Sequence, residues 1–211
     1  ISLGMWENYG KTFIEYAFLD KFRENKTNIK ILGEQNLIKI LADKKPVIFV
    51  SGHFANYELM SMEITRKQIK LATIYRPLNN YFLNPFMEYL RKKYVCKNQI
   101  QKGIKGVREA IEYIKNNFSV ALMIDQRVSE GEKINLFGKP AFTTTLPAQL
   151  AIKFNLKIVP VFIERNKDEN FTIEFLEEIN SANYKNKHEL TKKLNDLLEK
   201  MIIRNPSQWI W

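Results

Sequence analysis

An α/β layered fold, with a central mostly parallel or mixed sheet flanked by helices, is what this sequence predicts, on three observations. Short apolar runs bounded by turn residues alternate with longer segments whose apolar residues recur at helical spacing. Two of the runs, VIFV at 47–50 and SVALMID at 119–125, read as buried strands of the kind found in parallel sheets. No repeat, low-complexity tract or Gly/Ser linker interrupts the chain, so its 211 residues read as a single domain over 1–211, enough for one sizeable core.

Each element follows from its own pattern. Phe13, Ile14, Ala17, Phe18 and Phe22 recur at helical spacing and predict a helix over 11–22 with an aromatic face, turned either to the core or to a membrane interface. Residues 34–42 form a short helix closed by the DKKP turn, and Val47 to Val50 form the first strand. A helix over 57–67 leads to the strand KLATIYR at 70–76, then to a helix over 85–93 with Pro85 suited to its first turn. Ile104, Val107, Ile111 and Ile114 mark an amphipathic helix before the strand at 119–125. A helix over 146–154 feeds the strand KIVPVFIER at 157–165, followed by a strand FTIEFLEEI at 171–179. Leu190, Leu194, Leu197, Leu198 and Met201 define the last helix.

Composition narrows the partners. Lys and Arg total 33 against 23 Asp and Glu, a net charge of +10, with a pI near 9.5. Such an excess favours an anionic partner or a solvated lysine-rich surface. The lysines are scattered rather than massed, and neither a Gly-rich phosphate loop, zinc-finger spacing nor an RNA-recognition aromatic motif is present, which argues against nucleic acid. No stretch approaches the roughly 18 apolar residues of a membrane-spanning helix. The single cysteine, Cys96, excludes an internal disulfide and fits a reducing compartment.

The chemistry concentrates in VIFVSGHFANYE, Val47 to Glu58, which spends one of only two histidines at the mouth of a buried strand. In open α/β sheets the ligand crevice lies beyond the carboxyl ends of the strands. His53, Arg76, Asp125 and Arg165 each stand at such an end, although any strand leaving a core must finish in something polar. His53 and Glu58, five apart, meet neither on one helix face nor on one strand face. They can meet if His53 occupies the strand-to-helix turn, where Gly52 permits a tight path, and Glu58 the first helical turn, with Asn56 as its N-cap. A carboxylate on one imidazole nitrogen would fix the tautomer and leave the other nitrogen as a general base for a substrate hydroxyl; the competing reading is a histidine that only fills a turn. Ser51 is an alternative nucleophile, but SGH is not a nucleophile elbow. His188 lies in a charged stretch, and no metal cluster is indicated.

HFANYE is similar to the H-x4-D/E motif of glycerolipid and lysophospholipid acyltransferases. More narrowly, GHFANYE, IYRPLNN, MIDQ, LFGKPAFTTTLPAQLA, IVPVFIER and NPSQWIW, in that order between about Gly10 and Trp211, resemble the successive blocks of the bacterial lipid A biosynthesis acyltransferase family. The resemblance implies a glycerolipid acyltransferase-like fold and acyl transfer from an acyl carrier protein thioester to a hydroxyl of a phosphorylated glycolipid, at the cytoplasmic face of the inner membrane, with no cofactor. It casts His53 as general base and Glu58 as its carboxylate partner. It also places Arg91 and Asp125 near the site, with Arg76, Gln126 and Arg165 on further family positions that could contact substrate. The family normally begins with an amino-terminal hydrophobic anchor, which this chain lacks. A backbone N–H near the helix start or the Arg91 side chain could serve the oxyanion. The alternatives are transfer to a lysophospholipid or other glycolipid, and, in another class, a non-catalytic basic module that binds an anionic membrane.

Overall fold

The structure is a computed structural model that describes residues 1–24, 28–129 and 131–210. Its helices are α1 (Ser2–Glu15), α2 (Leu19–Glu24), α3 (Glu34–Asp43), α4 (Glu58–Arg66), α5 (Leu83–Leu90), α6 (Ile104–Lys115), α7 (Leu146–Phe154) and α8 (Lys187–Arg204). The strands are β1 (Ile29–Leu32), β2 (Ile48–Ser51), β3 (Leu71–Tyr75), β4 (Asn98–Gln101), β5 (Ser119–Met123), β6 (Glu132–Leu136), β7 (Lys139–Thr143), β8 (Lys157–Arg165), β9 (Phe171–Phe175) and β10 (Ile179–Asn180).

The main sheet runs β1-β9-β8-β2-β5-β3-β4, with β10 paired to β8. Strands β8, β2, β5, β3 and β4 are mutually parallel, whereas β9 and β10 lie antiparallel to β8, so the sheet is mixed as the sequence predicts. Its centre is the apolar triplet β8, β2 and β5: Ile48, Phe49, Val120, Ile158, Val159 and Val161 are fully buried, which no strand with a solvated face could sustain. Because β2 and β5 pair Ser51 with Met123, the residues two places on, His53 and Asp125, leave the sheet level with each other.

Four strands escape the sequence pattern. Strands β1 and β4 are edges, β4 burying only Ile100, and β6 and β7 form a separate hairpin in which Ile134 and Thr143 alone are buried. The hairpin turns at Phe137 and Gly138, both left-handed, with φ of 50° and 71°. The expected strand over 171–179 is two strands, broken after Phe175.

The amino-terminal helix is the main departure. It begins at Ser2, and the side it buries is Met5, Asn8 and Thr12, continuing through Tyr16 and Leu19. Phe13, Ile14, Ala17 and Phe18 face outward, and of the expected aromatic face only Phe22 packs on the core, edge-on to Phe171. The cause is polar: Asn8 Nδ2 donates to the Gln208 carbonyl at 3.2 Å and Thr12 Oγ1 to the Ala55 carbonyl at 2.9 Å, which turns the hydrogen-bonding side inward. Helix α5 also runs on through one π-helical turn, Arg91–Val95, and this places Arg91 beneath α4. Among the described residues no helix is long and apolar enough to cross a membrane.

Candidate active site

A cavity of about 390 Å³ opens at the carboxyl ends of β2, β3 and β5, where a parallel sheet exposes strand termini and helix starts together. His53, Tyr57, Glu58, Arg76, Arg91 and Gln126 all contribute to its wall. Five of the seven residues singled out in the sequence therefore line one space, and a sixth, Asp125, lies directly behind His53.

The turn that presents His53 is tightly specified. A side chain at Gly52 would strike the Phe54 ring at 2.8 Å, so glycine is needed for close approach. Ala55 sits in the left-handed region at φ 43°, an uncommon conformation for alanine. It is held by hydrogen bonds on both sides: its N–H donates to the Gln208 carbonyl and its carbonyl accepts from Thr12. Helix α4 then starts with Tyr57 at its cap position, with no side-chain cap; Asn56, expected there, sends its amide to Glu15 instead.

The carboxylate partner of His53 is Asp125, not Glu58. Nδ1 of His53 lies 2.7 Å from Asp125 Oδ1, and the side chain of Asp125 is wholly buried. An ionised carboxylate can only accept, so Nδ1 carries a hydrogen, and in the neutral imidazole the lone pair is then on Nε2. Asp125 Oδ2 accepts from the His53 backbone N–H at 2.7 Å and from the Trp209 indole at 2.9 Å. No hydrogen bond joins His53 to Glu58 among the described residues. The reason is topological: β5 neighbours β2 and delivers Asp125 at the level of the imidazole, whereas Glu58, at the start of α4, points into the helical layer.

There Glu58 forms a second pair. Arg91 Nε donates to Glu58 Oε1 at 2.8 Å, Tyr16 donates its hydroxyl hydrogen to the same oxygen, and Arg91 Nη2 donates to the Tyr16 oxygen at 2.7 Å. Burial works to lower the Arg91 pKa, but the charge of Glu58 and its hydrogen bond outweigh it and hold the guanidinium firmly protonated. Burial, reinforced by Glu58, keeps Tyr16 well above its ordinary range, and the same two causes push Tyr57 up to about 12. The Tyr57 ring stacks edge-on against His53 at 4.7 Å. Arg91 Nη1 is enclosed and has no hydrogen-bond partner among the described residues. The N–H groups of His53, Phe54 and Ala55 are all engaged within the protein. These three groups of the turn are therefore spoken for, whereas Arg91, through Nη1, remains a candidate oxyanion donor beside the N–H groups of the helix start itself.

Arg165 departs from expectation. It ends β8 at the same sheet edge, but its guanidinium turns away from the cavity to pair with Glu15, with Nη2 3.2 Å from Oε2. It clamps α1 to the sheet and does not face substrate space. Ser51 is buried and donates to the Val161 carbonyl at 2.7 Å, which removes it as a nucleophile. His188 stands on the surface beside Glu132, and among the described residues no three His, Cys, Asp or Glu gather as a metal site. Tyr16 and Trp209, which complete the two pairs, lie outside the sequence expectation; the NPSQWIW block was the signal for Trp209. Trp211, at that block's end, lies outside the described residues.

The strand ends of the mixed sheet thus bring an Asp-held histidine and a buried Glu–Arg pair to one cavity, and the family that the chain matches is one of lipid acyltransferases. The chain belongs to the bacterial lipid A biosynthesis acyltransferase family, which it matches over residues 1–211. Its fold is also that of the crystal structure of the 1-acyl-sn-glycerophosphate (LPA) acyltransferase PlsC from Thermotoga maritima, with a TM-score of 0.52 at 13% identity, over 99% of this chain and 89% of that one. No curated protein sequence matches the chain. The protein is a lipid acyltransferase.

Proposed function

We propose that the protein transfers a fatty acyl chain from an acyl carrier protein thioester to a hydroxyl of a phosphorylated lipid A precursor, with His53 as general base. The observation that carries this reading is the Nδ1–H bond to Asp125, which in the neutral imidazole puts the lone pair on Nε2 of a residue that lines an open cavity. Nε2 accepts the acceptor's hydroxyl proton as that oxygen attacks the thioester carbonyl. The tetrahedral oxyanion takes a hydrogen bond from Arg91 Nη1, and collapse expels the thiolate, which recovers the proton from the imidazolium. Glu58 acts in this scheme by holding Arg91, not by holding the histidine.

The rim supports an anionic acceptor: Arg76 and Lys102 both border the cavity, and arginine's planar fork suits phosphate. The surroundings support work at a lipid surface on the cytoplasmic face of the inner membrane. Tyr81 and Phe82 are 86% and 92% exposed, and Trp6, Phe13 and Phe18 join them outside any core. Tyr9 and Leu78 carry those aromatic regions to the cavity itself. The excess positive charge draws such a face to an anionic leaflet.

The test is acceptor-dependent thiol release from acyl carrier protein and coenzyme A thioesters, each offered with a lipid A precursor and with a lysophospholipid. Turnover with the first of each pair, lost in His53→Ala, is the expected result. Undiminished turnover in that variant defeats the base assignment, and turnover confined to the lysophospholipid reassigns the acceptor.

A further inference from the structure

We infer that Trp209 is a positioning residue for the transfer, its indole N–H fixing the Asp125 carboxylate that in turn fixes His53. This rests on the function proposed above.

The argument begins with the donors to Asp125. Three hydrogen bonds reach the carboxylate, and two of them, from Nδ1 and from the backbone N–H, come from His53 itself. The backbone donor ties the carboxylate to the turn that carries the imidazole, but neither of these two bonds ties it to any other part of the molecule. The third donor, Trp209 Nε1 at 2.9 Å, is the only one among the described residues that belongs to another part of the molecule. The side chain of Asp125 is wholly buried, so water cannot take the place of a lost donor without entering the site.

Trp209 is itself held to the frame on both sides of the histidine. It pairs antiparallel with Phe54, the Ile210 N–H donates to the His53 carbonyl at 3.0 Å, and the Gln208 carbonyl accepts from Ala55. Gln208 in turn exchanges two hydrogen bonds with the backbone of Arg165 at the end of β8, at 2.7 and 2.8 Å. The indole thus transmits the position of β8 to a carboxylate just beyond β5 and through it to an imidazole just beyond β2. An aromatic ring present only for packing would need no donor aimed at a buried carboxylate, and phenylalanine would serve.

Two substitutions separate the N–H from the ring. Trp209→Phe keeps an aromatic ring and removes the donor; benzothienylalanine at the same position keeps the bicyclic shape and replaces N–H by sulfur. We expect about a tenfold fall in kcat for both, the scale of one hydrogen bond to a charged group, with KM within about twofold. The second readout needs no substrate. With His188→Gln as background, ¹⁵N NMR of the single remaining imidazole at alkaline pH reports the Nδ1–H tautomer in the parent. In both Trp209 variants a mixture of tautomers is expected, and a downfield Nδ1 proton lost to exchange.

Unchanged imidazole signals in either variant overturn the inference. So does parental kcat with the sulfur isostere, which would reduce Trp209 to packing. If the imidazole signals move but the parent protein turns over no thioester with any lipid offered, Trp209 still positions the pair and the proposed function is what fails.

Discussion

Exchanging Asp125 for asparagine removes one charge and almost no volume, and its consequence can be worked out from two donors. The His53 and Trp209 N–H groups both converge on Oδ2, at 2.7 and 2.9 Å. In Asp125→Asn the amide must turn its carbonyl to those donors, because its NH₂ facing them would bury three donors together. The NH₂ then faces His53 Nδ1, which must accept, and the imidazole hydrogen moves to Nε2. A base with its hydrogen on the wrong nitrogen cannot take the hydroxyl proton. In a serine protease triad the same exchange lowers turnover by about 10⁴, and a loss of about 10³ to 10⁴ is expected here, equivalent to about 4–5.5 kcal/mol of barrier. Since the hydrogen-bond count is kept, the thermal unfolding midpoint should stay within a few degrees of the parent. The assay is thiol release under saturating acyl thioester and lipid, read as kcat, beside a thermal melt. A folded variant that keeps more than a tenth of parental kcat refutes the tautomer argument and returns Asp125 to a structural role.

Removing Arg91 should act first on the fold: Arg91→Ala leaves Glu58 as a buried unpaired carboxylate and should cost about 3–5 kcal/mol in urea unfolding, and a loss under 1 kcal/mol would show the pair is solvated. Arg165→Ala should also lower unfolding stability, by freeing Glu15 and α1, yet leave KM for the lipid acceptor unchanged; a raised KM with stability intact would restore it to the substrate site. Arg76→Ala should raise KM for a phosphorylated acceptor about tenfold or more over its dephosphorylated analogue, compared in parallel steady-state assays. Tyr57, pushed up to about 12 by burial and by Glu58, binds its proton in the folded protein after the unfolded chain has begun to lose it near 10. Its stabilisation is therefore full below pH 10 and lost as pH rises through about 12, so Tyr57→Phe should flatten the decline in denaturant stability between pH 9 and 11 by about 1 kcal/mol; equal declines would contradict the linkage.

How much of this was legible in the sequence depends on whether burial left an apolar trace. Strands β2, β5 and β8 are buried on both faces and read as apolar runs, and helices α6 and α8 bury one stripe and read at period 3.6. Strands β4, β6 and β7 bury one side chain each, so no period exists to be found. The amino-terminal helix misleads for a different reason: its inner face includes Asn8, Thr12 and Tyr16, polar groups with designated partners, while Phe13, Ile14 and Phe18 are outside. At the site, the convergence of strand ends correctly gathered His53, Arg76 and Asp125 at one edge. The H-x4-E spacing joined the wrong pair, because a five-residue offset says which residues are near in the chain and nothing about which strand lies alongside. That information resides in the β2–β5 register, where the offset of 72 between Ser51 and Met123 recurs between His53 and Asp125.

The same register explains why the site contains two acids rather than one. A single carboxylate shared between His53 and Arg91 would be drawn to the permanent charge of the guanidinium, and the imidazole would lose its fixed tautomer. Dividing the work keeps the negative charges apart: Asp125 is anchored from the sheet side by Trp209 and the His53 backbone, and Glu58 is neutralised from the helix side by Arg91 and Tyr16. His53 and Arg91 both line the cavity between them, and among the described residues Arg91 Nη1 makes no hydrogen bond. In the transfer proposed above the attacking hydroxyl needs an acceptor and the carbonyl a donor, and a carboxylate bridging His53 and Arg91 would occupy both, which is a reason for the two acids to stay apart.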